Sequence, residues 1–268
     1  MAGKAKRKAV TVTGASRTAA VRKHLEALRG RIETFLRWQG GRIAHKAAEL
    51  YAAATKSDED KIKRILGDLP LDWDDLSGEI RSALIAIYLE GGKAAIEKLD
   101  VEESAGFWDK LNAEALDYAE KRGAELVGKK LVDGELVDNP RAEYAITDTT
   151  RDGLRDLIAK AFDEGMTPQE LSDAIQDAYD FSGARADVIA RTELSFAHVE
   201  GELEAMKRSG VVSGKSLLLS DSHEIEDDCD DAEAQGVVDL GDDSIDPPLH
   251  PGCECSLTYE VEEEEEAA

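Results

Sequence analysis

Pro247-Pro248-Leu249-His250-Pro251-Gly252-Cys253-Glu254-Cys255 holds two of the three cysteines of this chain, and the third, Cys229, lies upstream. The pattern is Cys229, a long gap, then His250-x-x-Cys253-x-Cys255. Thiolate and imidazole are the donors a tetrahedral zinc ion prefers, and three sulfurs with one nitrogen complete a closed structural site. The prolines flanking His250 stiffen the loop and reduce the entropy lost on ordering it. The stretch therefore reads as a metal staple built from Cys229, His250, Cys253 and Cys255. A Cys253–Cys255 or Cys229–Cys253 disulfide, or three free thiols, are the rival readings.

The surroundings explain why a staple is needed. From Lys215 onward the apolar residues are few, chiefly Leu217 to Leu219, Val237, Val238, Leu240, Ile245, Leu249, Leu257 and Tyr259, and carboxylates are many. A unit of that kind is too small to stabilise its own loops without a metal or a cross-link. Structural zinc contributes about 10–16 kcal/mol of apparent binding energy in small peptides. The cost of closing the Cys229–His250 gap grows only logarithmically with its length.

The chain has 268 residues, 42% of them apolar, 5% aromatic and 34% charged, the profile of a mainly helical protein with a sizeable core. No apolar run is long enough for a bilayer, and the basic start Met1-Ala-Gly-Lys-Ala-Lys-Arg-Lys leads into no signal-peptide core. A cytoplasmic location, or a particle assembled there, is the expectation, with no membrane partner. The net charge of −25 is polarised. Basic residues dominate up to about residue 45, and no lysine or arginine follows Lys215. That arrangement disfavours a protein that coats nucleic acid with its whole surface.

Periodicity divides the chain into a disordered basic arm over 1–17, a helical region over 18–146, a C-terminal module over 147–259 and an acidic tail over 260–268. Val21, Leu25, Leu28, Ile32, Phe35 and Leu36 recur at helical steps, with a kink expected at Gly40-Gly41. Ser57 to Asp60 resembles a capping box opening a short helix. Further helices are expected over 75–89, over 93–99 after a break at Gly91-Gly92, and over 104–127. Asp133-Gly134 between short apolar pairs marks a hairpin at 131–137, because both turn positions need positive φ. Helices follow over 147–162, over 168–179 with the cap Thr167-Pro168-Gln169-Glu170, and from Ser182 to about Arg208, with Gly210 as the stop. Short strands are expected around 217–219, 237–238 and 257–259. The fold class is thus α+β, mainly α: an N-terminal helical bundle or bent helical arm, then a small α+β module with short strands around a Cys/His loop.

Along the helix 183–208, Ile189, Phe196, Val199, Leu203 and Met206 form a core stripe. Arg185 and Glu193 border it and are expected to make salt bridges that pack the helix on the C-terminal segment. Arg191 is placed on the other side, with Ser195, His198 and Glu202. Ser222-His223-Glu224 is no triad, and His223 reads as a solvated loop histidine. The knot Glu224 to Asp231 lacks calcium-loop spacing and reads as a solvated acidic loop. No phosphate-binding or dinucleotide fingerprint is present.

Ile189-Ala190-Arg191-Thr192-Glu193, a helix to Gly210, Lys215-x-Leu217, an acidic loop with Cys229, Gly236-Val237-Val238 and Pro247-Pro248-x-His250-Pro251-x-Cys253-x-Cys255 follow one another in an order that resembles the phage head morphogenesis proteins of the Mu F type, or minor head proteins. The resemblance covers about Thr147 to Tyr259. Two departures stand out. The family often carries Cys-x-x-Cys where this chain has Cys229-Asp230-Asp231-Ala232, which leaves His250 as the fourth ligand. The usual Cys-Arg-Cys is Cys253-Glu254-Cys255. The resemblance implies a non-enzymatic minor capsid protein of a tailed phage, inside the capsid or procapsid and in the host cytoplasm during assembly. Its implied work is head assembly at the portal vertex or genome delivery. The implied partners are the portal protein, the major capsid or scaffolding protein, and packaged DNA through the basic arm. The alternative is a zinc-dependent hydrolase or transferase with Glu193 or Glu254 as general base, which would need an open metal position.

Overall fold

The computed structural model describes residues 6–11, 19–54, 59–99, 104–142, 144–223 and 225–263. Among them the chain is mainly helical α+β. The helices are α1 (Ala19–Ala52), α2 (Glu59–Asp68), α3 (Asp74–Leu99), α4 (Phe107–Leu126), α5 (Ile146–Glu164), α6 (Pro168–Gln176), α7 (Gly183–Ser209) and α8 (Asp228–Ala234), with a 3-10 turn at Tyr179–Phe181. The strands are β1 (Lys6–Thr11), β2 (Lys129–Val132), β3 (Glu135–Asp138), β4 (Val212–Leu218) and β5 (Ser256–Glu263). Strands β2 and β3 form an antiparallel hairpin whose turn residues, Asp133 and Gly134, both have positive φ, as the Asp-Gly signal requires. The other sheet has the order β1-β5-β4, all antiparallel.

Contacts gather the chain into two compact units that interleave in sequence. The first comprises the described residues within Met1–Ala27, Ser82–Ala119 and Ala190–Ala268; the second, those within Leu28–Arg81 and Glu120–Ile189. Residues 147–189, on the far side of the linear boundary drawn at residue 146, group with 28–81, and α5 packs on α2 and α6.

In the second unit, local sequence and tertiary packing agree. Thr167 caps α6 through a capping box, its Oγ1 accepting from Glu170 N and Glu170 Oε2 accepting from Thr167 N at 2.7 Å. Gly165 ends α5 in the left-handed conformation, and the Tyr51 hydroxyl donates toward the carbonyls of Ala161 and Met166 at 2.8 and 2.9 Å. Ser182 caps α7 by accepting from Arg185 N. The Arg185 guanidinium is buried and donates to Thr150 Oγ1, Thr149 Oγ1, Ile146 O and Asp180 Oδ1. Arg185 therefore ties α7 to α5 and the 3-10 turn, not to the C-terminal segment. The first turn of α7 simply lies among those elements. α1 runs unbroken through Gly40 and Gly41; a Cβ at Gly40 would meet the Phe181 ring at 2.7 Å, so this glycine admits a side chain rather than a bend. The capping box expected at Ser57 falls outside the described residues.

In the first unit, the core joins Tyr88, Ile96, Phe107 and Leu111 to Leu203, Met206, Leu217, Ile245, Leu257 and Tyr259, with all three cysteines inside it. α3 continues through Gly91-Gly92, where a break was expected. A Cβ at Gly91 would lie 2.1 Å from His198 O, and one at Gly201 would lie 1.9 Å from Tyr88 O. These glycines are contact points that let two helix backbones touch, a use that outweighs their poor helix propensity. The arm over 1–17, expected to be disordered, is an edge strand over residues 6–11, and the acidic tail contributes residues 260–263 to β5. The register sets Lys6 against Glu263 and Arg7 against Glu262. A segment that joins an existing sheet edge through its backbone needs no apolar periodicity of its own. The remainder of arm and tail lies outside the described residues.

Gly201→Ala is expected to destabilise the protein by about 3 kcal/mol through this backbone overlap. Gly30→Ala, on an open helix face with nothing within 4 Å, is expected to be neutral or stabilising by about 0.5–1 kcal/mol. Urea denaturation of the two variants distinguishes contact glycines from incidental ones; equal effects would refute the assignment.

Candidate metal centre

Two short local devices build the centre. The first is α8. Asp227 caps it by accepting from Cys229 N at 2.8 Å, and Asp230 reaches back to Asp227 N at 2.9 Å. The acidic knot is therefore a capped helical turn rather than a solvated loop, with carboxylates at the N-terminal end where the helix dipole favours them. Its first turn buries Cys229 completely. The second device is the turn His250-Pro251-Gly252-Cys253. Cys253 N donates to His250 O at 3.1 Å, and Gly252 has φ 76°. Proline followed by glycine at the two central positions is the signature of a type II turn. The turn brings His250 and Cys253 to one side.

α7 holds this turn in place. Thr192 Oγ1 accepts from Gly252 N at 2.9 Å, and Arg191 donates to Glu254 Oε1 at 3.0 Å. The other Glu254 oxygen accepts from Ser222 at 3.1 Å. Arg191 thus faces the Cys loop and does the work assigned from sequence to Arg185, while Glu193 is buried. Pro247 and Pro248 are buried and Pro251 is exposed. On the approach to the loop, Lys215, 1% exposed, pairs with Asp246. Further along α7, His198 Nδ1 lies 2.8 Å from Glu202 Oε1, and the Tyr259 hydroxyl donates to Glu202 at 3.3 Å.

Five donors converge. Cys229, His250 and Cys253 place one ligand atom each within 4.8 Å of one another, and so do His223, Cys229 and Cys255. Cys229 belongs to both sets. Its Sγ lies 3.6 Å from that of Cys253, close to the spacing of about 3.5–3.8 Å between ligands around a tetrahedral zinc. This buried Cys/His cluster can hold a metal ion. His223 corrects the sequence reading, for it is nearly buried and its Nε2 lies 2.9 Å from Asp230 Oδ2. No spacing rule links it to Cys229, so no sequence signal separated it from an ordinary loop histidine.

The two histidines are not equivalent. His223 Nε2 is engaged by Asp230, and that hydrogen bond, outweighing burial, raises its pKa and favours the protonated ring. His250 Nδ1 lies 3.2 Å from Pro251 O, a carbonyl that can only accept, so Nδ1 donates and Nε2 is the atom left to face the cluster. That Nε2 is buried and makes no hydrogen bond; Asp227 Oδ2 is 3.2 Å away without suitable geometry. A buried polar atom left unsatisfied is costly, and an ion would satisfy it. The sulfurs are also differentiated. Hydrogen bonds from Cys255 and from backbone N–H groups pull the Cys253 thiol down to about 5, against burial. Burial pushes Cys229 up to about 12, and the hydrogen bond to Cys253 pushes Cys255 up as well.

Beside the cluster is a hollow of about 20 Å³ lined by Arg191, Ser195, Cys253, Glu254 and Cys255, room for about one water molecule. Among the described residues no helix is long and apolar enough to cross a membrane. Comparison with protein-family models, with curated proteins and with solved structures finds no match.

His250→Ala is expected to abolish stoichiometric metal binding, whereas His223→Ala leaves it intact; elemental analysis and the visible spectrum of the cobalt-substituted protein report both. Retention of tetrahedral cobalt in His250→Ala would overturn the assignment. Calorimetry in buffers of differing ionisation enthalpy is expected to show about two protons released per ion near neutral pH, one each from Cys229 and Cys255.

Proposed function

We propose that this chain is a minor head protein of a tailed phage, of the Mu F type, acting without catalysis in head assembly at the portal vertex or in genome delivery. Its metal is zinc, held by Cys229, His250, Cys253 and Cys255 as a structural ion. The observation that carries the reading is the meeting of the two most specific motifs. Thr192 and Arg191, from Ala190-Arg191-Thr192-Glu193, bond to Gly252 and Glu254 of the Pro-Pro-x-His-Pro-x-Cys-x-Cys stretch. Residues that carry the resemblance from distant parts of the sequence are thus one packed unit. The substitution of glutamate in Cys253-Glu254-Cys255 also acquires a reason, since Glu254 is the partner of both Arg191 and Ser222.

The hydrolytic alternative has less support. Four protein donors close a tetrahedral shell and leave no position for a reactive water. Of its two candidate bases, Glu254 is committed to Arg191 and Ser222, and Glu193 is 1% exposed. The neighbouring hollow is too small for an organic substrate.

The polarised charge supports partners that are recognised electrostatically: the portal protein, the major capsid or scaffolding protein, and packaged DNA at the basic N-terminal arm. The test is co-expression with a tailed-phage portal protein and major capsid protein from the genome that carries this gene, followed by sedimentation. Association with the portal is expected, weakening steeply as salt rises, because exposed charges are screened over about 8–10 Å at ordinary ionic strength. Failure to associate with either protein at low salt would reject the reading. Association indifferent to salt would move recognition to apolar contacts.

A further inference from the structure

The two sulfurs nearest each other in the cluster come from different elements. Cys229 is in the first turn of α8 and Cys253 ends the turn at 250–253, with Sγ atoms 3.6 Å apart. A disulfide requires about 2.05 Å, a closure of roughly 1.6 Å, and rotation about the two Cα–Cβ bonds is the motion that brings the sulfurs together. Cys255 is placed differently. Only Glu254 separates it from Cys253, and a bond between two such close neighbours closes a small, strained ring. Cys255 also sits at the head of β5, whose ladder with β4 starts at Ser256 opposite Leu218.

We propose that oxidation of the cluster joins Cys229 to Cys253, leaves Cys255 as a thiol, and releases the ion, so that a disulfide takes over the metal's work of tying α8 to the His250–Cys253 turn. The metal half of this proposal rests on the zinc reading above; the cross-link half rests on the sulfur geometry alone. The chemistry balances with a peroxide as oxidant. Two thiols and one hydrogen peroxide give one disulfide and two waters. With a divalent ion bound, two thiolates, two protons and one peroxide give the same products and the free ion. Cys253 and Cys255 line the small hollow of about 20 Å³, which marks the side from which a small oxidant approaches these otherwise buried sulfurs. A thiol reductant reverses the step and restores the ligand set. For a protein assembled in a reducing cytoplasm and carried outside the cell in a particle, the exchange would keep the segment stapled in both environments.

The test uses the full-length zinc-loaded protein, titrated with hydrogen peroxide. Three quantities are measured: zinc freed to a colorimetric chelator, disulfide connectivity by peptide mapping after alkylation, and thermal unfolding. The expected result is one ion released per chain with a Cys229–Cys253 bond and alkylated Cys255. The oxidised metal-free protein should melt roughly 5 °C or more above the reduced metal-free protein. Cys255→Ser should form the same bond. Cys253–Cys255 pairing, disulfide-linked dimers, or an oxidised form no more stable than the reduced metal-free form would overturn the proposal. If the reduced protein binds no zinc yet forms the Cys229–Cys253 bond, the metal reading fails and the cross-link stands; zinc release with another pairing has the opposite meaning.

Discussion

From Thr192 onward α7 carries Thr192, Glu193, Ser195, His198 and Glu202, and every one of them is buried. A helix with polar groups away from water on that scale is tolerated only if the surrounding chain supplies partners. The C-terminal segment does so: Gly252 N donates to Thr192, and Tyr259 donates to Glu202. α3 also packs on this helix with backbone contact, Gly91 against His198 O and Gly201 against Tyr88 O. The Cys/His turn is therefore positioned less by its own few contacts than by a helix that needs it. Removing the turn would expose or orphan the polar side of α7, and removing the polar side would leave the turn without its anchor.

This reciprocity bears on how much was visible from sequence. The capping box at Thr167, the stop at Gly165 and the Asp-Gly hairpin are local devices whose chemistry is complete within four or five residues, and each appears where it was read. The Pro-Gly turn that presents His250 and Cys253 is equally local. What sequence concealed depends on distant partners. Arg185 and Arg191 are both arginines on one helix, and only the identity of the packing neighbours sends the first to Asp180 and the second to Glu254. Gly91-Gly92 looks like a helix break until the opposing carbonyl of His198 is in place. His223 reaches the cluster through tertiary approach alone.

The N-terminal strand makes the same point in reverse. Residues 6–11 have no amphipathic pattern that would predict order, and they enter the structure by antiparallel pairing with β5. Low hydrophobicity argues against a segment burying its own surface, but not against its joining an edge that already exists.

The interleaving of the two units has a consequence for synthesis. The first unit takes its core from Tyr88, Leu111, Leu203 and Tyr259, so its contacts span long stretches of chain, and its central sheet pairs β1 with β5. As residues leave the ribosome in order, the second unit can gather its segments once about residue 189 has emerged, while the first must wait for β5. Structures dominated by such sequence-distant pairings form slowly and leave apolar helix faces exposed in the interval. The vulnerable species in the cell is therefore the nascent chain that already has α3 and α7 but lacks the strand that closes over them.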